Sequence, residues 1–467
     1  MPVTEPRPPH ADITRKPIRL VKGWLRLVIA VVIALGLAAY CQLIFVPSFQ
    51  QVAQQRGYDQ GNLSDLYSRW VGTRALLQHG EDPYGRAVLA VSQRGFFGRD
   101  ARPGEEIDEA AVFAHPVYLV FLLAPLSWLE FPLVQEIARW GFPLLVALGT
   151  VFWWAVIRPA ATRLEYVLVA VAALCAPPTL EIGRVQQLSA LTYFLLAGAV
   201  LLLARGHLVL AGMLLALSTN KPQESWGVVL LILIWALAAL RTRRPVVLSF
   251  GTSMLILALA GEWVLPGWIS AFVASSSRYM ANTSALHLFG RFLPSAILVL
   301  LAVGWAGLLL IIAWTGRREA AATRRFLVGV GSTLALTQIL LPTYLQYESI
   351  YLLPGLLLLL DLSAWYTGRI WFVLHRVAAG LLLFPWPAGA TLGYAALIGV
   401  PLLSAPLGIR FLPLSLGPIL PYAAVLALAP LLARRSFRSL LRAPLNERDA
   451  APGDTDPAAG VWEAQES

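Results

Sequence analysis

Residues 24–46 read WLRLVIAVVIALGLAAYCQLIFV, an apolar stretch with a single charged side chain. About 20 apolar residues are enough for an α-helix to cross the hydrocarbon core of a bilayer. No small-residue cleavage site clearly follows the stretch, so we expect a retained span and not a cleaved signal. The whole chain of 467 residues is 58% hydrophobic and 13% charged. This composition predicts an all-α polytopic membrane protein, because helices satisfy all their backbone hydrogen bonds within lipid.

Further apolar segments recur along the chain. Several are shorter than a full span, and these are predicted to be broken, tilted or re-entrant helices. We expect roughly 11–13 spans in total. The segments lie near 116–131, 140–157, 164–180, 188–204, 207–219, 226–240, 246–260, 294–315, 326–341, 347–361, 370–388, 391–409 and 415–433.

Basic residues predict the orientation, because cytoplasmic loops of membrane proteins are enriched in Lys and Arg. Four basic residues between positions 15 and 22 precede the first span, which predicts a cytoplasmic N-terminus. The two large polar loops, 47–115 and 261–293, are then external. Further clusters, predicted to be cytoplasmic, lie at 241–244, 317–325, 369 and 434–438.

These basic clusters also indicate that not every apolar segment crosses the membrane. An odd number of crossings must separate the external loop 47–115 from the cytoplasmic cluster 241–244, but six apolar segments lie between them. At least one segment between 116 and 219 is therefore predicted not to cross fully.

The predicted organisation has four parts, and both termini are cytoplasmic. Residues 1–14 and about 444–467 are rich in Pro, Ala and acidic residues, a composition typical of disorder. The parts are a cytoplasmic tail (1–23), a membrane module with the two external loops (24–365), additional C-terminal spans (366–433) and a cytoplasmic, disordered tail (434–467).

Composition also excludes several functions. The formal net charge of +10 does not indicate nucleic-acid binding, because the Arg residues cluster at loops and chain ends, as topology requires. Cys41 and Cys175 both lie in apolar runs and form no disulfide or metal pattern. There is no HExxH, CxxC, Walker A or GxGxxG motif, and we expect neither a metal nor a cofactor.

The polar stretch GNLSDLYSRWVGTRALLQHGEDPYG (61–85) follows the first span. Its spacing predicts an amphipathic helix over 62–79 that begins near Asn62 or Ser64 and ends at Gly80. The helix is expected to lie in the outer membrane interface with its apolar face towards lipid. That face consists of Leu63, Leu66, Tyr67, Trp70 and Leu77.

Several motifs in this order resemble the GT-C superfamily of membrane glycosyltransferases, and within it glycosyltransferase family 87, of the polyprenyl-phosphomannose-dependent mannosyltransferase type. The resemblance covers about residues 24–365. It rests on Asp65, Gly72 and ALLQHGEDPYG (75–85), then on HP (115–116), FLLAPLSWL (121–129), GRVQ (183–186), AGMLLALSTNKPQ (211–223) and NTS (282–284).

The resemblance implies a GT-C fold and transfer of a hexose, with mannose the expected sugar, from a polyprenyl-phosphate sugar to an acceptor hydroxyl at the outer face of the plasma membrane. The acceptor would be a glycolipid or a glycan, and the reaction would be inverting. Such a transfer needs a base, and Asp65 resembles it. The alternative role for Asp65 is structural, at a helix start within reach of Arg69.

The leaving polyprenyl phosphate requires cations to stabilise its charge. Lys221 is the first candidate, with a lysine that snorkels from a helix end as the alternative. Arg184 is the second candidate, and the alternative is that its charge only helps to set the orientation of the chain in the membrane. Arg278 and Arg291 flank the second external loop and are otherwise surface charges.

Six further residues are candidates for sugar or acceptor binding: Asp82, Tyr84, His115, Gln186, Asn282 and Glu348. Three of them have explicit alternatives. Asp82 could instead shape the turn before Pro83, His115 could make an interfacial hydrogen bond, and Glu348 lies among aromatic residues typical of an interface belt.

Two other functions remain open from the sequence. A transporter or lipid flippase would also place charged residues and broken helices within the membrane, but it predicts matched discontinuous helices in two halves. A scaffold protein would not need the polar run NKPQ (220–223) at membrane depth.

Overall fold

The computed structural model describes residues 57–58, 60–100, 111–283, 294–340 and 346–363, together with isolated positions between 25 and 54. Every regular element in these ranges is helical, which confirms the all-α class. The predicted spans within 370–433, both predicted tails and Arg291 lie outside the described residues.

The helices follow the predicted apolar segments closely. In chain order they are α1 (Asp65–Arg74), a π-helical turn (Ala75–His79), α2 (Arg86–Phe97), α3 (Leu119–Ser127), α4 (Phe131–Ile157), α5 (Arg163–Leu174), α6 (Pro177–Val185), α7 (Ser189–Ala204), α8 (Leu208–Ser218), α9 (Pro222–Leu237), α10 (Leu240–Val264), α11 (Trp268–Thr283), α12 (Ser295–Gly316), α13 (Arg324–Leu340), a 3₁₀ turn (Gln346–Leu352) and α14 (Leu353–Ser363).

Three of the described helices, α4, α10 and α12, are long and apolar enough to cross a membrane. The pair α5 and α6 would count as a fourth span if its 59° bend lies within one crossing. Helix α3 has nine residues and is about 14 Å long, roughly half of the hydrocarbon thickness. The stretch 116–219 thus contains segments that are shorter than a full crossing or bent, whereas the predicted orientation of the loops stays a prediction. The total of 11–13 spans stays a prediction.

The core of the described region is built around α4 and α7, which pack along one another and against α5, α6 and α8. Close approach of α4 and α7 depends on Gly149, since a Cβ there would lie 2.9 Å from the Tyr193 ring. The Tyr193 hydroxyl in turn lies 3.0 Å from Thr150 Oγ1. Small and hydroxyl residues at such contacts are typical of helices packed within membranes.

Helix α1 differs from the prediction in the direction of its apolar face. Leu66 and Trp70 are 1% and 8% exposed and belong to the core. The Trp70 Nε1–H donates to the Leu126 carbonyl at 3.0 Å, and Phe131 packs edge-on against Tyr67, with ring centroids 4.6 Å apart. The expectation of a lipid-facing stripe was therefore wrong, because α3 and the start of α4 cover this face and exclude lipid from it.

The end of α1 has a local distortion that the periodicity did not predict. Its last turn continues as the π-helical turn and stops at Gly80, which has the left-handed φ of 68° favoured by glycine. Gln78 within this turn donates to the Ser127 carbonyl at 2.8 Å. A single π turn often marks a functional site, and here it joins the end of α1 to α3.

A buried ion pair joins α13 and α14. Arg324 is 1% exposed and its Nε lies 3.4 Å from Asp361 Oδ2. Arg158, at the end of α4, lies 4.0 Å from the other Asp361 oxygen. The late helices are thereby connected to the core helix α4.

Candidate active site

The carboxylate of Asp65 lies where α1 meets the turn between α6 and α7. Asp65 occupies the first turn of α1, and its Oδ2 accepts a hydrogen bond of 2.7 Å from Gln187 Nε2. The second oxygen, Oδ1, has no hydrogen-bond partner among the described residues. One carboxylate oxygen is thus fixed by Gln187, and the other is not engaged by any described residue.

A residue with left-handed backbone conformation lies within two positions of each partner of the Gln187–Asp65 hydrogen bond. Leu63 has a φ of 53° and Gln186 a φ of 51°. Non-glycine residues in this region cost on the order of 1–3 kcal/mol each, and such strain clusters at functional sites. Gln135 on α4 bridges the two turns, because its Nε2 donates to the Asn62 carbonyl at 3.1 Å and to Gln186 Oε1 at 3.3 Å.

Several charges surround Asp65 and influence its protonation. Burial raises the pKa of the Asp65 carboxyl above its ordinary value, whereas the positive charges of Arg69, Arg184 and Lys221 lower it and that of Glu181 raises it. Desolvation is the largest of these effects, so the net direction is upward. A raised pKa makes the carboxylate a stronger base, which suits a residue that must accept a proton.

Arg69 is a buried cation close to Asp65. Its Nη1 donates to the Asp65 carbonyl at 2.5 Å and to Ser68 Oγ at 2.8 Å. The structural alternative, an ion pair between Arg69 and the Asp65 carboxylate, is not among the described contacts, and the bond is made to the Asp65 backbone instead. Arg69 is 7% exposed and its Nε is buried with no partner. Within the described part of the chain, Arg69 Nε is thus a buried donor whose hydrogen is not used.

Arg184 lies on the last turn of α6 and pairs with Glu181 on the same helix. Arg184 Nε and Nη2 donate to the two carboxylate oxygens of Glu181 in the bidentate geometry that Arg favours. The Arg184 side chain remains 17% exposed. It thus contributes positive charge beside Asp65, in a pair with a neighbouring acid.

Lys221 is buried within a closed polar cluster. Its Nζ lies 2.5 Å from Glu224 Oε1 and donates to Ser189 Oγ at 2.7 Å. Ser189 passes its own hydrogen to Glu224 Oε1 at 2.7 Å, and Tyr351 donates to Glu224 Oε2 at 2.6 Å. The snorkelling alternative was wrong, because Lys221 is 3% exposed. The phosphate-binding role stays a prediction.

A tyrosine connects this cluster to Asp65. Tyr347, in the 3₁₀ turn, accepts a hydrogen bond of 2.9 Å from Gln187 Nε2, and Lys221 Nζ lies 5.2 Å from the centre of its ring. Gln187 thus donates to both Asp65 and Tyr347. Two hydrogen bonds from Gln187 and a cation–π contact of Lys221 thus connect the Asp65 carboxylate with the Lys221–Glu224 pair.

His115 is buried, and the charges of Arg69 and Lys221 act on its imidazole. The Tyr84 hydroxyl donates to its carbonyl at 2.7 Å, while neither ring nitrogen has a partner. Burial holds the pKa of His115 well below its usual value, and the charges of Arg69 and Lys221 lower it further. The imidazole is therefore neutral at physiological pH. The Tyr84 hydrogen bond to the His115 carbonyl fixes the backbone of this segment.

Glycine allows α1 to approach this loop. A Cβ at Gly72 would lie 2.5 Å from Cδ2 of Phe113, and Phe113 is 2% exposed. Gly72 belongs to the motif that suggested the family, and its physical role here is to seat the segment that carries His115.

The remaining predicted residues lie elsewhere or are used structurally. Asp82 is exposed and its Oδ1 accepts from the Tyr84 N–H at 2.9 Å, so the turn-shaping alternative is confirmed. Gln186 donates to the Gly183 and Arg184 carbonyls, both at 2.6 Å. Glu348 is 6% exposed in the 3₁₀ turn.

Two predicted residues belong to α11, a helix that the sequence analysis treated as polar loop. Arg278 is exposed on this helix, and it is not among the charges that act on Asp65. The backbone of Asn282 lies near the helix end, whereas its side chain is outside the described atoms. Neither residue is brought to Asp65 by a described contact.

Gln187, Arg69 and Tyr347 were not predicted from the sequence as site residues. Gln187 adjoins the predicted Gln186, and only the left-handed turn at 186 decides which of the two amides reaches Asp65. Arg69 had been considered only as a partner for the Asp65 carboxylate. In the described ranges, no cluster of three His, Cys, Asp or Glu side chains could hold a metal ion.

Comparison with protein families identifies the membrane region. Residues 113–342 match the model of glycosyltransferase family 87. This region belongs to that family. The family suggested by the motifs is thereby confirmed, and the protein is a membrane glycosyltransferase. The match begins after Asp65, so the role of this residue rests on the contacts described above. A comparison with curated proteins finds no match.

Proposed function

We propose that this family 87 enzyme transfers a hexose, with mannose as the proposed sugar, from a polyprenyl-phosphate sugar to an acceptor hydroxyl of a glycolipid or glycan. The reaction takes place at the outer face of the plasma membrane and inverts the anomeric centre. The observation that carries the proposal is the Asp65 carboxylate, with one oxygen bonded to Gln187 and three cations close by.

Each bond change has an assigned residue in this proposal. The acceptor oxygen attacks the anomeric carbon while its proton passes to Asp65 Oδ1. The bond between the anomeric carbon and the phosphate oxygen breaks, and its electron pair leaves with the polyprenyl phosphate. Positive charge must stabilise that leaving group, and Arg69 supports this step because its Nε–Nη2 edge matches the bidentate geometry of a phosphate.

The proposal includes no cofactor, because Arg69 and Arg184 supply positive charge for the leaving phosphate. Activity in the presence of a strong chelator is the expected result. An activity lost on chelation and restored by a divalent cation would contradict this part of the proposal.

The donor class is tested with the purified protein in lipid nanodiscs. Radiolabelled polyprenyl-phosphate mannose and a labelled nucleotide sugar are each incubated with extracted membrane lipids and glycans. We expect label to enter an acceptor only from the lipid-linked donor. Transfer from the nucleotide sugar would overturn the donor assignment, and movement of labelled lipid across a vesicle membrane without a glycosylated product would favour the flippase alternative.

A further inference from the structure

We infer that Gln187 is a positioning residue, whose side-chain amide holds the Asp65 carboxylate and leaves Oδ1 for the acceptor proton. This inference rests on the proposed function, because it concerns the same proton transfer. Gln187 is 122 residues from Asp65 in the chain, and no sequence motif connects them.

The orientation of the Gln187 amide is fixed by its partners. Nε2 has two hydrogens, which are donated to Asp65 Oδ2 at 2.7 Å and to Tyr347 Oη at 2.9 Å. Oε1 accepts from the Leu188 N–H at 3.0 Å. Rotating the amide by 180° would set two acceptors, Oε1 and the carboxylate, against each other and would lose these bonds. Gln187 is 3% exposed, so water does not replace them.

The backbone around Gln187 is built to present this side chain. Gln186 ends α6 in a left-handed conformation, which turns the chain so that the next residue points towards α1. Gln135 holds this turn and also the turn before α1. The strain at Leu63 and Gln186 is thus located on both sides of one hydrogen bond, as expected when a fold fixes a functional geometry.

The hydrogen bond has a chemical consequence beyond placement. A donor to a carboxylate stabilises its ionised form, and it opposes the desolvation that raises the Asp65 pKa. The charged groups that face Asp65 are Arg69 on α1, Arg184 and Glu181 on α6, and Lys221 before α9. Tyr279 on α11 also interacts electrostatically with Asp65. Gln187 is the neutral donor among them.

Loss of the amide should therefore alter the pH dependence of transfer. Asp65 acts when ionised, so activity rises with pH through its pKa. In Gln187→Leu the carboxylate loses a donor, its pKa rises, and the acid limb of kcat/KM against pH should move upward by about one to two pH units. We expect kcat at neutral pH to fall roughly 10- to 100-fold, with the KM for donor changed by less than about threefold.

Gln187→Glu gives a second, isosteric test if the leucine variant does not fold. Two adjacent carboxylates cannot both ionise easily, so the acid limb should shift further and activity should recover only at high pH. Gln93→Leu removes another buried glutamine, on α2, and should leave the position of the acid limb unchanged.

Two outcomes would contradict different parts of this inference. Acid limbs that coincide for the wild type and both Gln187 variants would overturn the positioning role, even if total activity fell. A wild-type protein that transfers no sugar from a polyprenyl-phosphate donor would instead overturn the proposed function. The two failures are distinguished because the second appears before any variant is compared.

Discussion

Lys221 and Glu224 form a buried ion pair, with Nζ 2.5 Å from Oε1. Removing one partner of such a pair leaves an unpaired charge in a dry environment and costs about 3–5 kcal/mol. We predict that Lys221→Met destabilises the protein by about this amount. The double variant Lys221→Met/Glu224→Gln should recover most of the loss, as measured by thermal unfolding in detergent.

The same double variant separates the two roles of Lys221. If the Lys221 charge only neutralises Glu224, the double variant should bind a polyprenyl phosphate with close to wild-type affinity. A stable double variant with donor affinity reduced tenfold or more would show that Lys221 meets the phosphate directly.

Arg69 should contribute to donor binding, because its buried Nε has no partner among the described residues. A hydrogen bond to a charged group contributes about 1.5–3 kcal/mol, so Arg69→Gln should raise the KM for the lipid donor roughly 10- to 100-fold. Arg69→Lys keeps the charge but loses the bidentate geometry, and an intermediate effect is expected.

Arg74 provides the matched control for Arg69. It lies on the same helix, over the Trp70 ring at 5.2 Å, and its Nε donates to Gln78. Arg74→Gln should leave the donor KM within about twofold of wild type. Equal donor KM values for Arg69→Gln and the wild type would remove Arg69 from the phosphate site.

Gly72 should tolerate no side chain, because a Cβ would lie 2.5 Å from the buried Phe113 ring. Overpacking of this kind costs about 1–3 kcal/mol. We predict lower thermal stability for Gly72→Ala together with reduced transfer, since Phe113 precedes His115 by two residues. Gly141→Ala is the control: its Cβ meets nothing within 4 Å, and a helical alanine should be neutral or stabilising. Equal stability of the two variants would contradict the packing argument.

Arg184 should lower the pH at which the enzyme becomes active. Its charge lowers the pKa of Asp65, while the neighbouring Glu181 raises it. Arg184→Gln removes the favourable charge and leaves the acid unpaired, and both changes raise the pKa. The acid limb of kcat/KM should therefore move to higher pH. A limb that stays in place or moves to lower pH would show that Arg184 does not act on the base.

The apolar segments and the helices agree because hydrophobicity and length determine which stretches can enter a membrane. The segment predicted at 188–204 became α7, Ser189–Ala204, and Gly80 ended the first polar helix as its conformational freedom suggests. Asp65 was predicted to be the base from its position in a motif, and that role stays a prediction. These features depend on local sequence or on resemblance.

The pairing of Asp65 with Gln187 could not be predicted in the same way. It joins residues 122 positions apart, and it depends on a left-handed turn at Gln186, a residue type that gives no signal for that conformation. The orientation of the Leu66 and Trp70 face likewise depended on which neighbour covers it. Periodicity predicts that a helix has an apolar face, but not whether lipid or protein lies against it.

Asp65→Asn tests the central claim most directly, because it keeps the shape of the side chain and removes its basicity. The measurement is transfer from a polyprenyl-phosphate hexose by purified wild type and variant at equal occupancy of donor. We expect a loss of at least about 100-fold in kcat, with thermal stability and affinity for the polyprenyl phosphate maintained. A folded Asp65→Asn protein that transfers sugar at the wild-type rate would contradict it.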